Sequence, residues 1–486
     1  MIPADIAAAT PLVVALCGIA IYFITKLLPP NLRHWSGTLT ALILLGTFFI
    51  LLSVIARHAT LTGLSFTGIT GGLLVTGIGA VSAWASEGSI DPKGPVHLYY
   101  PLFLFALAGA MAIGFANDLF TIFVMVELSA IPVYALCAYR HKEDPSALSS
   151  AMKYMIQGVV GTLTALFGVA ILYLAGHTLD LSELPKALAG ADPSLVIFAA
   201  VLILLGYGVK LGIVPLHTWL PDAYARAPVG VTAIMVGPTK IGVLIALFLT
   251  LSALPAGGIP RTVGIIVIFF AILTMTVGNL LALNQRDLRY VLSYSSVAQM
   301  GYILLGFGIG MVYNLPLGFA AGLYYAIAYA MMKAGAFIAA DVFAADAGSF
   351  ETDKMKGIGA RHPFLGISFA IFIFGLIGVP FTNGFLGKML LEQAGMVTSM
   401  MSGVVLALIL ALNSALSLGY YVPVISKLMF SSAEKGQCPV RLKPVPPGAL
   451  FAVIFLAIVT VYFGLFPESF TWISHAAGQI FTWGVA

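Results

Sequence analysis

The chain has 486 residues, is 60% hydrophobic and only 9% charged, and carries a formal net charge of +4. A soluble domain holds about 25% charged residues, so a water-soluble globule is excluded and lipid is the solvent this sequence suits. With no basic patch interleaved by aromatics, nucleic acid is excluded as a partner. The three cysteines, Cys17, Cys137 and Cys438, lie too far apart in sequence to suggest an iron–sulfur or zinc set, so no cofactor is expected in this chain.

Apolar runs of roughly 18 or more residues recur from end to end, and each predicts a spanning helix. Fourteen spans are expected, near 11–28, 38–56, 66–84, 97–115, 119–138, 154–175, 195–220, 229–254, 262–283, 290–310, 315–340, 363–390, 401–428 and 448–466. The first has no basic segment ahead of it and no small-residue cleavage site behind it, so it reads as a retained helix. The longest polar stretches, Ala340–His362 and Ser431–Pro447, are loop-sized.

Positively charged loops stay in the cytoplasm. With the N-terminus outside, sixteen of the 23 Lys and Arg fall at cytoplasmic ends, and three (Arg57, Lys186 and Arg261) fall outside. The other four lie inside spans. This sorting supports fourteen spans in the cytoplasmic (inner) membrane, with both termini on the outer side.

Five buried charges stand out. Glu127 lies in the fifth span, Lys210 in the seventh, Lys240 in the eighth, Lys333 in the eleventh and Lys388 in the twelfth. A charge at the bilayer centre costs about 2.5–3.5 kcal/mol on insertion scales, so these residues must face the bundle interior, internal water or each other. Each has a plain structural reading. Glu127 and Lys210 can form a static ion pair, Lys240 can be satisfied by carbonyls, and Lys333 and Lys388 can snorkel. Taken together, four lysines in four spans with one acidic residue exceed what stability needs. Burial disfavours charge and an acidic neighbour favours it, so such a row, bridged by water, can pass a proton sideways through the membrane.

The seventh span contains Pro215 and runs on as Leu216-His-Thr-Trp-Leu-Pro-Asp222. The twelfth contains Gly375, Gly378, Pro380 and Gly384 ahead of Lys388. Proline removes a backbone donor, and in lipid the freed carbonyls need water or polar side chains. Two interrupted helices five spans apart, each beside a buried lysine, predict an inverted repeat. Residues 1–96 then hold helices 1–3, 97–254 the first five-helix unit (spans 4–8), 255–430 the second (spans 9–13), and 431–486 a loop and helix 14. His217, beside the first break, is a candidate relay because histidine titrates near neutral pH. Glu392, four residues after Lys388, either tunes that lysine or stabilises the helix end. Asp222 reads as a cap or as a partner of Arg226. Asp341, Asp346, Glu351 and Asp353, with Lys354 and Lys356, read as a solvated loop.

The segment Leu211-Gly-Ile-Val-Pro-Leu-His-Thr-Trp-Leu-Pro-Asp-Ala-Tyr-Ala-Arg-Ala-Pro228 resembles the signature of the antiporter-like subunits of respiratory complex I. That family also includes subunits of Mrp-type Na+/H+ antiporters and of membrane-bound hydrogenases. Asn284–Gly301 and Pro380–Lys388 resemble two further family blocks, so the likeness covers nearly the whole chain. The resemblance implies fourteen helices with two inverted five-helix units. It also implies that Glu127 pairs with Lys210, that Lys240 is the central relay and that Lys388 is the terminal site toward the outer side. Many relatives carry histidine where this chain has Gln299, and some carry another near Ala328. The resemblance therefore implies no histidine relay in the second half. Lysine at 388 looks like the N-type and D-type members. The chain stops soon after span fourteen, so the long lateral helix of the largest members is not expected.

These features predict a proton-translocating subunit of a redox-driven complex: an NADH, ferredoxin or F420H2 dehydrogenase, or a membrane-bound hydrogenase. Neighbouring membrane subunits and redox subunits are the expected partners. The competing readings are a subunit of a multisubunit Na+/H+ antiporter without a redox partner, and a stand-alone transporter or structural membrane subunit.

Overall fold

A computed structural model describes residues 3–57, 64–398, 400–431 and 444–470. In chain order the helices are α1 (Pro3–Leu27), α2 (Trp35–Arg57), α3 (Leu64–Ser86), α4 (Val96–Ile113), α5 (Leu119–Cys137), α6 (Ser146–Gly176), α7 (Leu184–Ala187), α8 (Pro193–Leu211), α9 (Leu220–Arg226) and α10 (Val229–Val236). They continue with α11 (Pro238–Ser252), α12 (Gly258–Leu283), α13 (Leu288–Tyr313), α14 (Pro316–Ala347), α15 (Ile358–Arg361), α16 (Pro363–Ile377), α17 (Asn383–Met396), α18 (Met400–Ile425) and α19 (Pro447–Leu465). Among the described residues there is no β-strand, only two isolated bridges.

Among the described residues, thirteen helical segments are long and apolar enough to cross a membrane, and fourteen if a pair bent by 117° at residues 361–363 counts as one. The expected twelfth span is the short helix α16 followed by α17. Most of the polar stretch expected over Ser431–Pro447 lies outside the described residues. The stretch expected from Ala340 begins inside α14, which runs on to Ala347.

The breaks fall where glycine, rather than proline, ends the helix. α8 stops at Gly212, whose φ of 76° is left-handed and whose amide donates to the Gly208 and Val209 carbonyls. α16 stops at Gly378, with φ 96° and the same kind of closure onto Phe374 and Gly375. A glycine reaches this conformation without a Cβ clash. Pro215, expected to be the breaker, lies four residues past the end of α8 and follows a cis peptide bond. A third break was not expected. The eighth span is split into α10 and α11 at Gly237-Pro238, two residues before Lys240.

The two halves share local devices. Asp118 caps α5 by accepting from the Thr121 amide, and Asp287 caps α13 by accepting from the Arg289 and Tyr290 amides. Each cap satisfies amides that the helix itself leaves free. Asp118 bridges antiparallel to Asp180, and Asp287 bridges in the same way to Glu351. The preceding helices, α6 and α14, both end on left-handed residues, His177 and Gly348.

Small residues let the helices approach closely, as is usual in bilayers. A Cβ added at Gly206 on α8 would sit 2.5 Å from the Gly161 carbonyl and the Ala165 amide of α6. One added at Gly46 on α2 would meet nothing within 4 Å. Gly206→Leu is therefore expected to cut the yield of monodisperse, detergent-solubilised protein several-fold in size-exclusion chromatography, while Gly46→Leu leaves it unchanged.

Candidate functional site

The site begins on α5. Glu127 is half-buried, between the exposed Val124 and Leu128, so the pair it forms lies near the outer surface of the bundle. Its Oε1 is 3.1 Å from the Nζ of Lys210, near the C-terminal end of α8. The same ammonium donates to the Tyr134 hydroxyl at 2.9 Å and sits 5.3 Å from the centre of that ring. Tyr134 follows Glu127 by seven residues, about two helical turns, so carboxylate and phenol share one face of α5.

Lys240 is 2% exposed. Its ammonium lies between two rings, 5.4 Å from Tyr224 and 5.6 Å from Tyr329, and donates to the Tyr329 hydroxyl at 3.4 Å. Lys210 and Lys240 line one small cavity of about 20 Å³, with Ser129 and Thr239 in its wall. A space of that size holds one water, so the two amines share a possible bridge.

In the second half Lys333 is fully buried. It donates to the Leu292 carbonyl at 2.8 Å, to the Ser295 hydroxyl and to the Tyr421 hydroxyl at 3.3 Å. Lys388 reaches back from α17 to the carbonyls freed at the break, Leu376 at 3.1 Å and Ile377 at 2.8 Å. It also donates to Ser414 at 3.2 Å and lies 4.6 Å from the Tyr302 ring. Neither lysine snorkels. Lys210 precedes its break by two residues, whereas Lys388 follows its break by ten. The two are thus not equivalent positions, although both serve a broken helix.

The other expected residues sort as follows. His217 lies buried in the first break, with Nδ1 lacking a hydrogen-bond partner and the ring 6.5 Å from Tyr294. Glu392 is exposed, and the Lys388 ammonium bonds carbonyls instead. Asp222 pairs with Lys153 at 2.7 Å, not with Arg226. Arg226 pairs with Asp144 at 3.0 Å. The Ser146 hydroxyl and amide, helped by Arg226, hold the Asp144 carboxyl below the usual carboxylate range. The acidic group at 341–353 is only partly a solvated loop. Asp341 pairs with Arg289 at 2.5 Å, and Asp346, 4% exposed, accepts from His362 at 3.2 Å and Arg361 at 3.4 Å. The helical stretch of α14 carries these two carboxylates inward.

Sequence reasoning missed the tyrosines. Each of the four lysines lies within 6 Å of a tyrosine ring, a contact worth about 0.5–2 kcal/mol. Tyr134 was within reach of a helical-face argument from Glu127. Tyr224, Tyr302, Tyr329 and Tyr421 come from other helices, and no local spacing announces them. Gln299 was noted only as a departure from histidine. Its amide donates to the Leu376 carbonyl at 3.3 Å, the same oxygen that Lys388 bonds, and its oxygen accepts from Tyr325.

Residues 116–414 match the family described as NADH:quinone oxidoreductase/Mrp antiporter, TM. The chain belongs to this family. It is 34% identical over 399 residues to F(420)H(2) dehydrogenase subunit N of Methanosarcina mazei, covering 79% of this chain and 77% of that protein. It is 33% identical over 393 residues to NADH-quinone oxidoreductase subunit N of Mycobacterium bovis, covering 78% and 71%. A chain of respiratory complex I from Thermus thermophilus superposes with a TM-score of 0.75 at 25% identity, over 95% of this chain and 97% of that one. A chain of the Mrp complex from Dietzia shares the fold, with a TM-score of 0.85 at 19% identity over 98% of each. The chain is thus a multi-pass antiporter-like membrane subunit.

Removing one partner of a buried ion pair leaves the other charge uncompensated, at about 3–5 kcal/mol. Lys210→Met is expected to lower the thermal unfolding midpoint of the detergent-solubilised protein. Adding Glu127→Gln to it should recover most of the loss.

Proposed function

We propose that this antiporter-like subunit carries protons within a redox-driven, complex-I-related membrane complex. Its named relatives by sequence are subunits of an F420H2 dehydrogenase and an NADH-quinone oxidoreductase, which favours redox partners over a stand-alone antiporter. The electron carriers then belong to partner subunits, and this chain needs none of its own.

The observation that carries the reading is the Glu127–Lys210 pair joined to Lys240 through one shared cavity. The carboxylate holds a proton on Lys210. When a neighbour neutralises Glu127 or draws it away, that hold is lost, and the proton passes to Lys240 through the intervening water. Arrival of charge at Lys240 favours release further along, at Lys388. Lys333 belongs to the same line. His217 stands beside the first break as an accessory relay, and Glu392 adds negative charge one turn beyond Lys388. In this reading residues 97–254 and 255–430 are inverted repeats, an arrangement favoured by the matching caps and bridges of the two halves. The sorting of positive residues favours the cytoplasmic membrane, with both termini outside.

In membrane vesicles the redox substrate of the parent complex should drive proton uptake, and a sodium gradient alone should not. Lys240→Ala should abolish that uptake while electron transfer to an artificial acceptor continues. Full uptake in the Lys240→Ala vesicles would overturn the proposal.

A further inference from the structure

A cavity of about 490 Å³ opens at the end of the bundle that carries the loop and helix-end residues Arg140, Asp346 and His362. Its wall includes Ser89, Arg140, Arg289, Asp341, Asp346 and His362. Asp346 is held in place by His362 and Arg361. Deeper, the Arg289 guanidinium pairs with Asp341 at 2.5 Å, donates to the Ala225 carbonyl and stacks on Phe350 at 3.7 Å. This ion pair therefore ties α9, α13 and α14 together at the cavity wall. Arg289 is 8% exposed, so the pair sits at the boundary between the open space and the packed interior.

Lys333 lies further in, eight residues before Asp341 on α14, about 12 Å along the helix axis. The carbonyl it bonds belongs to Leu292, three residues beyond Arg289 on α13, which is about 4.5 Å along the helix axis. On the same helix the Ser293 hydroxyl donates to the Arg289 carbonyl and the Ser296 hydroxyl to the Leu292 carbonyl, both fully buried. The partners of Lys333 are a carbonyl, a serine and a tyrosine. None is an acid that titrates near neutral pH, so none of them can load the lysine with a proton. Beyond Arg289, the cavity lined by Asp341 brings charged groups to open space on the same side of α13 and α14.

We propose that this cavity is a proton entrance to the second half of the subunit, that the Arg289–Asp341 pair gates it, and that Lys333 is the first lysine to load there. The inference rests on the proton-carrying reading above and adds a separate point of entry to it. The ligand is water carrying an excess proton. When the pair parts, water reaches Lys333, and hydronium plus the neutral amine gives water plus the ammonium. The Tyr421 hydroxyl and Gln299 then lie between Lys333 and the carbonyl shared with Lys388. Asp341 acts here as a positioning residue, through Arg289 and the water it admits.

The test uses the full complex in vesicles, with Cys17, Cys137 and Cys438 replaced by serine. Ala345 lines the cavity and is exposed. A cationic, membrane-impermeant methanethiosulfonate reagent should label Ala345→Cys and lower redox-driven proton uptake by about tenfold, less than the roughly hundredfold or more that a positioned proton-transfer group contributes, because the label blocks access without removing the group. The same label at Glu143→Cys, in the neighbouring recess, should leave uptake unchanged. Asp341→Asn should slow uptake to a similar extent in assembled complex, and Asp341→Glu should restore at least half of it. If Asp341→Asn blocks assembly, the labelling arm decides alone. Undiminished uptake in labelled Ala345→Cys vesicles, while Lys240→Ala remains inactive, overturns the entrance and leaves the pump reading standing. Undiminished uptake in both overturns the two together.

Discussion

An ammonium group in a bilayer must find oxygen or an aromatic face inside the protein, because the surrounding hydrocarbon offers neither. The rest of this structure is arranged around that constraint. Lys210 takes a carboxylate and a phenol. Lys240 takes two tyrosine rings, Lys333 a carbonyl and two hydroxyls, and Lys388 the carbonyls left open by a broken helix. Only the first of the four has an acidic partner within an ion pair. The other three are solvated by neutral dipoles, which stabilise a charge without neutralising it.

The helix breaks follow from the same need. A regular helix satisfies all its carbonyls internally and has none to offer a cation. Gly212 and Gly378 end their helices in a left-handed turn, and the second of these exposes two carbonyls that Lys388 then binds. At the first break the Val209 carbonyl is instead taken by the Trp219 indole at 2.7 Å, and Lys210 turns toward Glu127. One architectural device thus has two electrostatic outcomes. In one half the lysine meets a carboxylate, and in the other it meets the carbonyls of the break.

Packing sets how rigid this arrangement is. Gly161 and Gly206 bring α6 against α8, and Gly278 and Gly301 do the same for α12 and α13. In each pair the backbones are too close for a Cβ. Since apolar surface has no drive to hide from lipid tails, such close contact and internal hydrogen bonds provide much of the cohesion. Close packing of this kind holds α8, which carries Lys210, against α6, and α13, whose Leu292 carbonyl meets Lys333, against α12.

The amino-acid sequence by itself determined the class of protein, the number of spans within one and the four lysines that the structure buries, together with the half-buried Glu127. Apolar length and the scarcity of charge are one-dimensional properties, and a lysine in such a run is visible without a fold. It also located both long breaks, though it credited Pro215 where Gly212 ends the helix, and it passed over Gly237-Pro238. Tertiary structure alone decided what each charge meets. Tyr302, Tyr329 and Tyr421 reach the lysines from helices far away in sequence, and Tyr224 reaches Lys240 from α9, across the break of the eighth span. Asp341 turned from a loop residue into the partner of Arg289, and Asp222 exchanged Arg226 for Lys153. Partners of a buried charge are set by which helices pack side by side, and that depends on contacts between distant segments that no local spacing records.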